Sequence, residues 1–316
     1  MTRILVLGGT GFVGRAVCER LTQRSSSDRI QVPTRRLVRG NGVRLLPTVD
    51  LVQAQVHDDQ QLLRLVQNAD VVINLIAILH GSEADFQRVH VELPQRLVRA
   101  CQSAGVKRLV HVSALGASAS APSRYLRSKA AGEAVLAGSG LDVTVLRPSV
   151  IFGAHDRFLN LFAQLQAVAP VMPLAGSQAR LQPVWVEDVA QAIVQSLDTP
   201  SSIGQTFECA GPQVYTLGEL VHLAGRWSGH ERPQWALPHW AGWLQALAMD
   251  CLPGQPLMSR DNLASLAVPN VASGHAPDLR AMGITPTGME CVAPRYLADL
   301  FQRPDLDRFR AGAGRR

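Results

Sequence analysis

Residues 4–14 read Ile-Leu-Val-Leu-Gly-Gly-Thr-Gly-Phe-Val-Gly, an apolar run that breaks into glycines at positions 8, 11 and 14. A buried strand that empties into a glycine turn and then a helix start is built to hold a diphosphate. In this reading Gly8 permits the tight turn, Gly11 lets the backbone approach phosphate oxygens, and Gly14 lets the new helix pack on the strand. The unpaired amides at the helix N-terminus face the anion, which adds Thr10, Phe12 and Val13 to the set.

Outward from that turn, short apolar runs alternate with longer amphipathic segments. Strands are expected at Ile4–Leu7, Ile30–Thr34, Asp50–Ala54, Val71–Ile76, Leu109–Ser113 and Val143–Arg147, and helices near Val13–Arg24, Asp59–Gln67, Ala84–Ala104 and Arg124–Ala137. Strand and helix in alternation predict an α/β fold, a doubly wound parallel sheet of Rossmann type with helices on both faces. After Gly153 the rhythm breaks and Pro170, Pro173, Gly176 and Pro183 follow closely. The expected division is a dinucleotide-binding domain over 1–153 and a smaller, irregular substrate or partner lobe over 154–316, partly interleaved with the first.

A chain of 316 residues, 47% hydrophobic and 18% charged, can bury a full core. The net charge of +6 comes from scattered residues, and the only terminal cluster is Arg308, Arg310, Arg315 and Arg316, so no nucleic-acid partner is expected. Cys18, Cys101, Cys209, Cys251 and Cys291 are odd in number and lack metal spacing, as buried thiols in a reducing compartment would be. A strand beginning at Arg3 leaves no room for a signal peptide, and no apolar stretch reaches the ~20 residues of a spanning helix. The expected location is cytoplasmic, with peripheral attachment to the inner membrane face as an option.

The second strand ends in Thr34-Arg35-Arg36. An acid at this place would bind adenosine ribose hydroxyls, whereas two guanidinium groups grip a 2′-phosphate. The expected cofactor is therefore NADP(H), with Arg35 on the phosphate and Arg36 on the phosphate or the adenine face. Gln55 and Val56, after the third strand, are expected beside the adenine. Asn74 and Ala77 after the fourth, and Pro148 after the sixth, are expected along the same groove.

Tyr125 and Lys129 stand four apart, which on a helix puts a phenol and an ammonium on one face. Ser113 ends the fifth strand, at the edge where ligands of such sheets bind. These three candidate catalytic residues suit carbonyl reduction or alcohol oxidation. The tyrosine exchanges the hydroxyl proton, the lysine lowers its pKa and holds the nicotinamide ribose, and the serine orients the substrate oxygen.

GGTGFVG, the Tyr125/Lys129 pair and Leu146-Arg147-Pro148-Ser149 together resemble the short-chain dehydrogenase/reductase superfamily. Residues Pro183 to Ala190 look like the second-lobe segment of its extended and atypical members. Ser113-Ala114-Leu115-Gly116 and Ser123-Arg124-Tyr125-Leu126-Arg127-Ser128-Lys129-Ala130 are similar to the nucleotide-binding accessory subunit family of respiratory complex I. The run Pro253 to Leu263 looks like its bacterial branch. That resemblance implies tight NADPH binding without established turnover, and a respiratory complex or membrane surface as partner. Bacterial relatives carry a generic epimerase or dehydratase label. Eleven residues separate Ser113 from Tyr125, fewer than in the usual extended-family loop, which weakens Ser113 as a partner.

Trp235, Trp240 and Trp243 crowd into Gln234–Leu252, either as part of a lid helix on the second lobe or as interface anchors. Asp188 is expected to cap a helix beginning at Val189. His57, His90 and His111 show no metal spacing and are expected in structural roles. Three functions compete: an oxidoreductase for a hydrophobic or quinone-like carbonyl, a non-catalytic NADPH-holding accessory or assembly subunit, and a sensor of the NADPH/NADP⁺ ratio.

Overall fold

The computed structural model describes residues 1–250 and 259–300. The terminal arginine cluster, Cys251, Leu252 and positions 253–258 of the run ending at Leu263 lie outside the described residues.

The first strand, β1 (Arg3–Leu7), leads into α1 (Phe12–Arg24), then β2 (Arg29–Thr34), a short helix α2 (Asn41–Arg44) and β3 (Val49–Gln53). Helix α3 (Asp59–Gln67) and β4 (Val71–Asn74) follow. The chain continues through α4 (Glu83–Gln87), a π turn over Arg88–Glu92, α5 (Leu93–Ala104) and β5 (Arg108–Val112). Helix α6 (Arg124–Ala137) and β6 (Asp142–Pro148) complete the regular part. The sheet is fully parallel in the order β3-β2-β1-β4-β5-β6, closed at the far edge by β11 (Thr206–Cys209). This is the doubly wound α/β fold that the alternation predicts.

Alternate side chains of β1 serve opposite faces, as a sheet covered on both sides requires. Ile4 and Val6 join Val17 and Leu21 of α1 on one face, while Leu5 and Leu7 join Leu62, Val66, Leu93 and Leu97 on the other. Each such aliphatic side chain, taken fully from water, contributes about 1.5–3 kcal/mol.

The single helix expected over 84–104 is instead interrupted by the π turn, which buries Val89, His90 and Val91 together. The carbonyl of His90 bulges towards α6 there, and Gly132 makes room for it.

Beyond the sheet come β7 (Ile151–Phe152), α7 (Leu159–Val168), β8 (Met172–Ala175), β9 (Arg180–Leu181) and β10 (Val184–Trp185). The remainder is α8 (Val186–Asp198), β12 (Tyr215–Thr216), α9 (Leu217–Ser228), β13 (Gln234–Leu237), α10 (His239–Asp250) and α11 (Arg260–Ser265). Phe152, Leu159, Leu174, Leu217, Leu220 and Leu297 form the core of this second body. Helix α8 packs its Val189, Ala192 and Ile193 into the core shared with α1, and β11 is the seventh strand of the main sheet.

Helix α8 starts at Val186 rather than Val189, so Asp188 sits inside its first turn and caps nothing at that end. Its carboxylate instead accepts from the Thr287 amide (2.7 Å) and hydroxyl (3.1 Å), tying the C-terminal segment to α8. Cys18, Cys101 and Cys209 are buried free thiols, but Cys291 is exposed. No helix among the described residues is long and apolar enough to cross a membrane.

Candidate functional site

The sheet's carboxyl edge gathers the ends of β1, β2, β4, β5 and β6. At the first of these, Gly8 has φ +85°, a left-handed conformation that side chains resist, and it lies against the main chain of Leu75 and Ile76. A methyl on Gly14 would stand 2.3 Å from the Gly8 carbonyl oxygen, so this glycine sets how closely α1 meets the turn. Gly11 is exposed and caps α1 without a side chain, its own amide donating back to Gly8 (3.0 Å). The amides of Phe12, Val13 and Gly14 find no main-chain acceptor among the described residues, and the first turn of α1 carries no acid. That is a donor array with positive potential and nothing of its own to neutralise it. Thr10 is half-buried within the turn. Phe12 and Val13 also pack on the core, the Phe12 ring lying against Gly153.

At the end of β2 both Arg35 and Arg36 are exposed. The Thr34 hydroxyl donates to the Arg36 carbonyl (3.1 Å), which fixes the chain's exit from the strand. Arg35 is near enough to His57 to help hold its imidazole below the usual range, after burial and the charges of Arg88 and Arg96. The exposed Gln55 and half-buried Val56 belong to that same loop, so the ends of β2 and β3 face a common space. Arg15 of α1 went unnoticed in the sequence. Its guanidinium lies where a Gly42 methyl would touch it at 3.1 Å, so α1 brings a further cation against the segment after Arg36. The only local signal was a basic residue directly after the third glycine.

Asn74 is buried, its amide oxygen accepting from the Ile76 amide (3.2 Å) and its amino group meeting His111 Nδ1 (3.2 Å). Ala77 is exposed at the same strand exit, and Pro148 is buried at the end of β6. Ser113 is 4% exposed and its hydroxyl has no partner among the described residues, although its amide donates to Leu146 (2.7 Å).

Helix α6 carries Tyr125 and Lys129 towards this edge. The Lys129 side chain is buried, and its ammonium donates to the Val112 carbonyl (2.8 Å) at the end of β5. Burial pulls its pKa down to about 8, with Glu133 opposing. The Tyr125 ring meets His90 edge-on at 5.6 Å and Phe86 at 6.3 Å, and burial pushes its phenol up to about 12.

His90, expected in a structural role, joins three segments here. The Ser128 hydroxyl gives its one proton to the Tyr125 carbonyl (2.7 Å), so it must accept from His90 Nδ1 (2.8 Å). His90 Nε2 then carries the lone pair that accepts from the Ile78 amide (3.1 Å). The tautomer is fixed by its neighbours, and burial with the nearby Lys129 charge lowers the pKa to about 3. His111 is depressed too, by burial, Lys129 and His90. Both rings are thus held below the usual histidine range, with the Lys129 charge beside them.

The second body reaches the same edge twice. The Asn270 side chain accepts from the Ser149 hydroxyl (2.5 Å) and the Val150 amide (3.1 Å), and donates to the Leu115 carbonyl (3.2 Å). Asp261 of α11 accepts from the Arg124 and Tyr125 amides, at 2.7 and 3.0 Å. The indoles lie apart from this: Trp235, Trp240 and Trp243 are exposed, while α10 packs on β8 through Gly242 and the buried Ala246. Among the nominated residues, Ser113, Tyr125, Lys129, Asn74 and Pro148 thus surround one end of the edge. Arg35, Arg36, Gln55 and Val56 surround the other, and the glycine turn lies between them.

Residues 4–218 match the profile described as the NAD dependent epimerase/dehydratase family. The chain is 33% identical over 296 residues to the mitochondrial NADH dehydrogenase (ubiquinone) 1 alpha subcomplex subunit 9 of Mus musculus, covering 90% of this chain and 77% of that protein. A ceramide reductase of Caulobacter vibrioides is 30% identical over 202 residues, covering 62% of this chain and 61% of that one. An NADPH-dependent quinone oxidoreductase from Escherichia coli, solved with NADPH, shares the fold with a TM-score of 0.74 at 19% identity, covering 94% of this chain and 99% of that one.

Proposed function

The chain belongs to the NAD dependent epimerase/dehydratase family, within the extended short-chain dehydrogenases, and from that premise we propose that it holds NADP(H) as a non-catalytic accessory or assembly subunit of a respiratory complex. The observation that carries the nucleotide half is the uncapped start of α1, where three amides without acceptors face an exposed Gly11. A diphosphate is the group such an array accepts best, since it satisfies the amides and the helix dipole together. The residues fit the remainder of the molecule. Arg35, Arg36 and Arg15 supply cations for a 2′-phosphate, Gln55 and Val56 flank the adenine, and Asn74, Ala77, Lys129 and Pro148 line the nicotinamide half. When bound, the dinucleotide supplies a hydride.

One feature favours holding over turnover: burial raises the Tyr125 phenol to about 12. A proton-exchanging tyrosine needs its pKa brought towards neutrality by a neighbouring cation. The likeness to subunit 9 of the mitochondrial NADH dehydrogenase, over 90% of this chain, supports a subunit role and a respiratory partner.

A reductase reading rests on the buried, unpartnered Ser113 hydroxyl near Tyr125 and Lys129, which suits a substrate oxygen, and on the similarity to a ceramide reductase. Its substrate would be a hydrophobic or quinone-like carbonyl.

Mass spectrometry of the nucleotide retained after gentle purification, paired with Tyr125→Phe, tests these readings. Under the holding role, NADP(H) is retained and the variant keeps both the nucleotide and its co-purification with membrane respiratory subunits. Carbonyl-dependent NADPH oxidation that collapses in the variant would establish the reductase. Absence of any pyridine nucleotide, with no affinity for either on titration, removes both.

A further inference from the structure

Helix α6 opens with Arg124 and Tyr125 and carries no acid in its first turn. Its own cap, the Ser123 hydroxyl, reaches the Leu126 amide (3.2 Å) and leaves the first two amides to be satisfied from elsewhere. The partner is Asp261, on a helix 137 residues away in sequence from Arg124. One carboxylate oxygen takes the Arg124 amide (2.7 Å) and the other takes the Tyr125 amide (3.0 Å), with Arg124 Nε at 3.5 Å from the first. Asp261 is itself 9% exposed, and α11 is fixed by reciprocal bonds between Ser259 and Asn262. A buried carboxylate with two amide bonds on a helix N-terminus is a strong and directional tie.

We infer that Asp261 is a positioning residue for the nucleotide site: it holds the start of α6, and with it Tyr125 and Lys129, in the place where a bound nicotinamide is met. This rests on the NADP(H) reading above. Tyr125 and Lys129 lie within the first two turns of α6, so an error in its first turn moves both. The π-turn contacts through His90 hold the flank of this helix, whereas Asp261 alone supplies the two bonds at its tip. The same carboxylate gives α6 a negative charge at its positive end.

The experiment uses the full chain, Asp261→Ala and Asp261→Asn, with formate as the probe for the lost carboxylate. Three quantities are read: the melting temperature, the dissociation constant for NADPH, and the emission of the bound reduced nicotinamide. Asp261→Ala is expected to melt lower, bind NADPH roughly tenfold more weakly, and shift the bound emission, because the nucleotide must then order the helix tip itself. Formate should restore all three in Asp261→Ala and change none in the unaltered protein. Asp261→Asn, which keeps an acceptor but no charge, should fall between. A lower melting temperature with unchanged NADPH affinity and emission would leave Asp261 a purely structural tie and overturn the inference. Failure of the unaltered protein to bind NADPH would instead sink the nucleotide reading, with formate rescue of the melting temperature still recording the clamp.

Discussion

A methyl group on Gly132 would stand 2.1 Å from the carbonyl oxygen of His90, so the π turn and helix α6 meet backbone to backbone. The π turn pushes that carbonyl out of line, and glycine is the only residue of α6 that could receive it there. His90 and Gly132 therefore set the distance between the π turn and α6, the helix that carries Tyr125.

Gly132→Ala should accordingly cost roughly 1–3 kcal/mol, the range of overpacking a tight contact. Gly138→Ala, at the end of the same helix, meets only the Ala134 carbonyl at 3.7 Å and should be neutral or stabilising by under about 1 kcal/mol. Urea unfolding of both variants decides the matter; equal destabilisation would show that the His90 contact imposes nothing.

Acid should weaken the fold through its buried imidazoles. His90 has an ordinary pKa of 6.5 and a folded pKa of about 3, so between those values the unfolded chain binds the extra proton. Stability from this group is complete above 6.5 and is lost progressively as pH falls towards 3. His90→Asn can keep the bond to Ser128 but cannot titrate. Melting curves at successive pH values should show the unaltered protein losing more stability than His90→Asn between pH 6.5 and 4.5, above the ordinary range of the carboxylates. Parallel curves would mean that His90 is charged in the folded state.

Two glycines of the first turn should separate folding from binding. Gly11→Ala adds a methyl whose nearest neighbour is the Gly8 carbonyl at 3.2 Å, on an exposed residue, so the fold should lose no more than about 1 kcal/mol. With a diphosphate on this turn, as proposed, that methyl would obstruct its approach, and NADPH titration should show binding abolished or severely reduced. Gly14→Ala should fail earlier, as an unstable fold. A Gly11→Ala protein with normal NADPH affinity would remove the turn from the site.

Charge reversal at Arg35 should distinguish the two coenzymes. Arg35→Glu is expected to weaken NADPH by roughly 10- to 100-fold and NADH by a small factor, since only the former carries the 2′-phosphate. Raising the salt concentration should shrink the difference, because the pairing is exposed and screened. Equal losses for both coenzymes would refute the phosphate assignment.

The sequence made the first half of the fold legible because its signals are local. Strands Ile30–Thr34 and Val143–Arg147 extend by only a residue at their ends, to Arg29 and to Asp142 and Pro148. Strand β11 escaped because it is four residues long, follows a Pro-Ser-Ser-Ile-Gly turn and contains Glu208, an acid that reads as surface. That glutamate is buried because the Ser273 amide (2.6 Å) and hydroxyl (3.0 Å) satisfy it from 65 residues away. The π turn adds one residue without disturbing the amphipathic count, so the segment 84–104 still scans as one helix. At the site, glycines and the Tyr125/Lys129 spacing were visible. Asp261, Asn270 and His90 act through partners distant in the chain, so their contacts could not be read from neighbouring residues, although His90 and the run holding Asp261 were visible.

Strand β6 has a consequence for synthesis. Its outer edge pairs with Thr206–Cys209, which meet Val145–Pro148 some sixty residues after β6 leaves the ribosome. Until then the nascent chain presents an open row of amides and carbonyls, an invitation to pair with another molecule. A gene fragment stopped after Gly153 would keep that edge bare permanently and should yield aggregates, so a soluble nucleotide-binding fragment must run at least through Cys209.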